Sequence, residues 1–161
     1  MREHEQEDST MFIDVSDDLS ATTKDLSSKW HTAMDIICKD EYIPVLQVRR
    51  FVQMIRDTCQ RVQDLQVYAN MCLAQSPSIV VGVNIYNDAV RVSAAVEDLK
   101  IFVVKHIATM TDEDKDQFEG VLNEIDETLL RLMYAGESMQ RGDLQTALET
   151  LSDAQNPVLE S

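Results

Sequence analysis

From Ile79 to Met110 apolar side chains return every third or fourth position, and 20 of these 32 residues are hydrophobic. Ile85, Ala89, Val92, Val96, Leu99 and Val103 keep a four-three rhythm, which is one face of an α-helix. The β-branched runs Ile79-Val80-Val81 and Ile101-Phe102-Val103-Val104 also suit buried strands. No Gly or Pro occurs from Val83 to Met110 to turn the chain, so the pattern predicts one helix over 79–110. Its polar residues form a narrow stripe of Asn84, Asn87, Asp88, Arg91, Asp98, Lys105 and Thr109. Asn84, Asp88, Arg91 and Asp98 are expected to face solvent, with Ile85, Val92, Val96 and Val103 buried. A helix this apolar should meet neighbours on two or more sides, as the centre of a bundle or as an oligomer interface. Gly82, near its start, implies a frayed first turn or a close helix contact.

The same reading divides the remaining chain. Ser16 followed by Asp17 and Asp18 is a helix start, with acids at the positive end of the dipole. Leu19, Leu26, Trp30, Ala33, Met34 and Ile37 share one face of a helix over about 16–40. Pro44 opens a second helix over 44–75, whose apolar stripe comprises Val48, Val52, Ile55, Cys59, Val62, Ala69 and Leu73. Its opposite face is polar, and Asp57 and Arg61 stand as an acid-first i,i+4 pair. Ser76-Pro77-Ser78 then breaks the pattern. Two helices of matched length on either side of that break imply an antiparallel hairpin.

Thr111 before Asp112, Glu113 and Asp114 is a further capped start, for a helix over 112–141 carrying Phe118, Leu122, Ile125, Leu129 and Leu132. Gly142 is placed to end it, and Asp143 to begin a short helix over 143–155. The predicted fold class is all-α: an up-and-down bundle of four main helices (about 16–40, 44–75, 79–110 and 112–141) plus a short C-terminal helix (143–155). Residues 1–15 have little apolar periodicity and read as a disordered acidic tail, leaving 16–161 as a single helical-bundle domain.

Charge sharpens this picture. The formal net charge is -15. Residues 1–18 carry seven acids and one base, and residues 111–161 carry thirteen acids and three bases, so the middle is left near neutral. Neither nucleic acid nor an anionic membrane is an expected partner, because both require clustered Lys and Arg. No apolar stretch approaches the ~20 residues that cross a bilayer, and the first residues are acidic where a secretory signal is basic. Three unpaired-looking cysteines, Cys38, Cys59 and Cys72, suit a reducing compartment. The expected location is cytoplasmic.

Candidate chemistry is thin. His31 and Asp35 share a helix face at i,i+4, but no spacing supplies a third metal ligand. His106 late in the third helix meets the first requirement of a phosphorelay, an imidazole on a bundle, without a following glycine to admit a partner. The acids 112–116 start like a calcium loop, yet Gln117 stands where a sharp turn needs Gly and Asn123 where a bidentate Glu is needed. Cys59 and Cys72 fall on an apolar face, where a thiol is inert. No catalytic, cofactor-binding or metal residue is therefore assigned. The expected function is a non-catalytic protein–protein interaction module, an adaptor, regulator or small chaperone, whose partner the sequence does not name. The eight methionines add adaptable packing material to its helix faces. The alternatives are a homo-oligomeric bundle, such as a homodimer through the 79–110 helix, and a phosphorelay-type bundle using His106.

Overall fold

The absence of Gly and Pro from residues 2–38 lets one helix, α1 (Arg2–Cys38), run for 37 residues. The computed structural model describes residues 2–38, 53, 56–58, 60–68, 79–106 and 110–155. α1 thus begins at Arg2 rather than behind Ser16, and takes in the stretch read as a tail. Glu, Gln and Arg are good helix formers, and nothing between 2 and 15 interrupts them. Ser16, expected as a cap, is instead buried within the helix together with Val15. The predicted face of Leu19, Leu26, Trp30, Ala33, Met34 and Ile37 is buried. Thr22 and Thr23 complete it, because their hydroxyls donate to the carbonyls of Asp18 (2.7 Å) and Ser20 (3.0 Å) and leave their methyls to the core.

Residues 53, 56–58 and 60–68 are helical and belong to the second helix, α2. Val62 is buried as predicted, and Leu65 and Thr58 join it. The ends of the 44–75 helix, with Pro44, Cys59, Cys72 and the Ser76-Pro77-Ser78 break, lie outside the described residues.

The strand alternative for the apolar stretch is overturned, since α3 (Ile79–His106) is continuous helix from end to end. It stops short of the predicted 110, with Met110 buried beyond it. Val81, Ile85, Ala89, Val92, Val96, Leu99 and Val103 form its buried face. Contrary to expectation, α3 does contain a segment, Ile79–Lys105, long and apolar enough to cross a membrane by length and composition. The core helix of a bundle has the same signature, but only 39% of the most apolar window of α3 is buried.

Thr111 caps α4 (Asp112–Gln140), its hydroxyl accepting from the Asp114 N–H at 3.1 Å. At the other end Gly142 takes φ 75°, a left-handed conformation that glycine adopts freely. Its N–H donates to the Met139 carbonyl and that of Asp143 to Ser138, which closes the helix as a Schellman motif. The chain turns there into α5 (Leu144–Gln155). Asp143 caps α5 through its carboxylate, which accepts from the Thr146 N–H (3.1 Å) and hydroxyl (2.7 Å).

The architecture is an all-α bundle with a short C-terminal helix, and no strand occurs among the described residues. Among the described helices α4 packs against three others, α3 on one side and α1 and α5 on the other, whereas α3 and α1 do not approach each other.

Candidate functional site

Two glycines fix how α3 meets α4. A Cβ added to Gly82 would lie 2.7 Å from the Gly136 carbonyl oxygen and 2.8 Å from Met139 Cβ. A Cβ added to Gly136 would lie 2.7 Å from the Gly82 oxygen and 3.0 Å from the Tyr86 nitrogen. Of the two readings of Gly82, the close helix contact is the one realised. Further along, Lys100 Nζ reaches Asp126 Oδ2 at 2.5 Å, with Glu97 Oε2 at 4.0 Å. Numbers rise along one helix as they fall along the other, so the pair is antiparallel.

Near the far end the two helices border a pocket of about 280 Å³. Val103, Phe118 and Leu122 supply its apolar lining, and Val104, Lys115 and Glu119 are among its other walls. Lys100 also borders it, but its charge is already engaged by Asp126.

The outer side of α3 is the unexpected part. Ile79, Val83, Tyr86, Val90, Ile101 and Val104 are all exposed, Val104 at 74%. Together with exposed Ala94 and Glu97 they follow one another at spacings of four and three, so they form a single row along the helix. Leu130 and Tyr134, on α4, are exposed as well. This row was folded into the general apolarity of α3 at the level of sequence. The signal that could have separated it was its own four-three rhythm, offset from the core face and broken only by Glu97.

Asp88 behaves opposite to prediction. It was expected in solvent with Asn84, Arg91 and Asp98, but its side chain is only 4% exposed. Arg91 and Asp98 are exposed and Asn84 is half-buried. The cause is α2, which lays Arg61 across it: Arg61 Nη1 donates to Asp88 Oδ1 at 3.3 Å, and Arg91 Nη1 stands 3.6 Å from the same oxygen. The expected Asp57–Arg61 pairing gives way to this longer-range one, and Asp57 accepts from Gln53. Asp88 Oδ2 is buried without a hydrogen-bond partner. Burial therefore raises the Asp88 pKa, outweighing the two guanidiniums that lower it, while nearby Asp64 adds to the rise.

The other candidate residues are not gathered into a site. His31 and Asp35 are both exposed on α1, and Cys38 is an exposed free thiol at its end. His106 is the last residue of α3, and its side chain, like those of Cys59 and Cys72, lies outside the described residues. No group of three metal-ligating side chains occurs among the described residues. The candidate site is therefore a surface, the exposed apolar row of α3 with the α3–α4 groove beside it. Comparison with protein-family models, with curated proteins and with solved structures gives no match to this chain.

Proposed function

We propose that this protein is a non-catalytic, cytoplasmic interaction module that binds a protein partner through the outer face of α3. The observation that carries this reading is the exposed row from Ile79 to Val104. Scattered surface hydrophobics are ordinary, but an aligned row of them over most of a helix is surface that association with another protein removes from water. The exposed thiol of Cys38 is in keeping with a reducing compartment. A second reading, self-association of two copies through α3, draws on the same row.

The test compares the full chain with Val83→Asp/Val90→Asp, both positions being exposed, so that the fold is retained and checked by circular dichroism. In affinity capture from the native host, the wild type should retain a reproducible partner and the double variant should lose most of it. Sedimentation of the purified wild type separates the second reading, which requires a dimer that the variant dissolves. A monomeric wild type whose captured proteins are identical to those of the variant overturns both readings.

A further inference from the structure

The row on α3 is not flanked symmetrically, and that asymmetry identifies the occupant. α4 carries nine acids against two bases between residues 112 and 140. Helical spacing puts the exposed residues Asp116, Glu119, Glu127 and Glu137 on the outward side of α4, with Leu130 and Tyr134 among them. Glu119 lines the same pocket as Val104, and Glu97 interrupts the row itself. The α3–α4 groove is thus an apolar strip with an acidic border. Lys115 also lines the pocket.

We infer that this groove binds an amphipathic, basic helix of a partner protein, its apolar face on the α3 row and one large apolar side chain in the pocket beside Val104 and Phe118. This rests on the proposed interaction function and names the partner's chemistry. Charge complementarity chooses the occupant: a second copy would bring another acidic α4 border against the first, whereas Lys and Arg flanking an apolar face would meet Asp116, Glu119 and Glu127. The dimensions agree. From Val83 to Val104 the row is about 32 Å long at ~1.5 Å per residue, the length of a helix of roughly 20 residues. The pocket volume of about 280 Å³ accommodates a single large side chain at one end of that helix.

The experiment uses two fluorescein-labelled synthetic peptides of 18 to 20 residues, one a Leu/Lys amphipathic helix and the other its Leu/Glu counterpart, titrated with the full chain and read by anisotropy. The Leu/Lys peptide should bind and the Leu/Glu peptide should not. Val90→Asp/Val104→Asp makes the protein more acidic, so diffuse attraction of a cation would grow, whereas seating on the row should weaken at least tenfold. Glu119→Lys/Glu127→Lys should weaken binding severalfold while leaving the apolar row intact. Equal or tighter binding by the aspartate variant, equal binding of both peptides, or binding of neither overturns the inference. If neither peptide binds and the wild type sediments as a dimer that Val90→Asp/Val104→Asp dissolves, the occupant is a second copy: the row remains a contact surface and only the basic-helix assignment fails.

Discussion

Gly82 and Gly136 are chemically the plainest residues in the chain, yet each occupies space where a single methyl group would collide with backbone. Backbone atoms cannot rotate away, so Gly82→Ala or Gly136→Ala must push α3 off α4. By analogy with overpacked cores this costs about 1–3 kcal/mol. Gly120→Ala provides the contrast: nothing lies within 4 Å of its added Cβ, and the helix should gain roughly 0.5–1 kcal/mol. Urea denaturation of the three variants checks the ordering, and equal effects at Gly82 and Gly120 would contradict the close crossing. Asp88 supports a different measurement. Its folded pKa is raised by burial, so the folded protein holds this proton more tightly than the unfolded chain. Stability attributable to Asp88 therefore declines as pH rises from the ordinary carboxylate value to the raised one, and is level above it. Asp143 acts with the opposite sign, because bonds from Thr146 lower its pKa and its contribution is lost as pH falls. Subtracting the profile of Asp88→Asn removes the shared Asp143 term. The wild-type-minus-variant stability should fall across that window with rising pH; a flat or rising difference would mean that Asp88 is not desolvated. None of this was visible in the spacing of Asp88, which shares its stripe with solvent-facing residues. Its burial depends on Arg61, 27 positions away.

Helix faces were more legible than single residues. The core positions of α1, α3 and α4 follow from periodicity, and both ends of α4 follow from Thr111 and Gly142, because caps are local chemistry. Periodicity failed where polar side chains satisfied themselves within the helix. Thr22, Thr23 and Thr128 each donate to a carbonyl three or four residues back and so enter the core without external partners. It also failed at the start of α1, where a cap-like Ser-Asp-Asp sequence was overridden by good helix formers upstream. α5 has only 12 residues, too few to hold a helix in water by propensity alone. Its place depends on Ala147 and Leu151 in the core and on the Ser152 hydroxyl, which donates to Asp18 of α1 at 3.0 Å. Leu151→Ala should destabilise the protein by about 2–5 kcal/mol. In hydrogen exchange the amides of α5 should lose protection before those of α4, and simultaneous loss would show that α5 opens only with the whole bundle.

At the scale of the whole molecule the sequence supplied the fold class and the asymmetry of charge. Composition does not distinguish a surface covered by the chain's own helices from one left open, and the proposed function rests on that distinction. The antiparallel pair makes the open side adjustable. α3 and α4 touch backbone to backbone at Gly82 and Gly136 and border the pocket beyond Lys100, about 27 Å along the helix at ~1.5 Å per residue. Such a pair acts as a lever with its fulcrum at the glycines. A methyl group inserted there changes the angle between two stiff rods, and the displacement is largest at the opposite end, so substitutions at Gly82 tune the width of a recess that they do not touch.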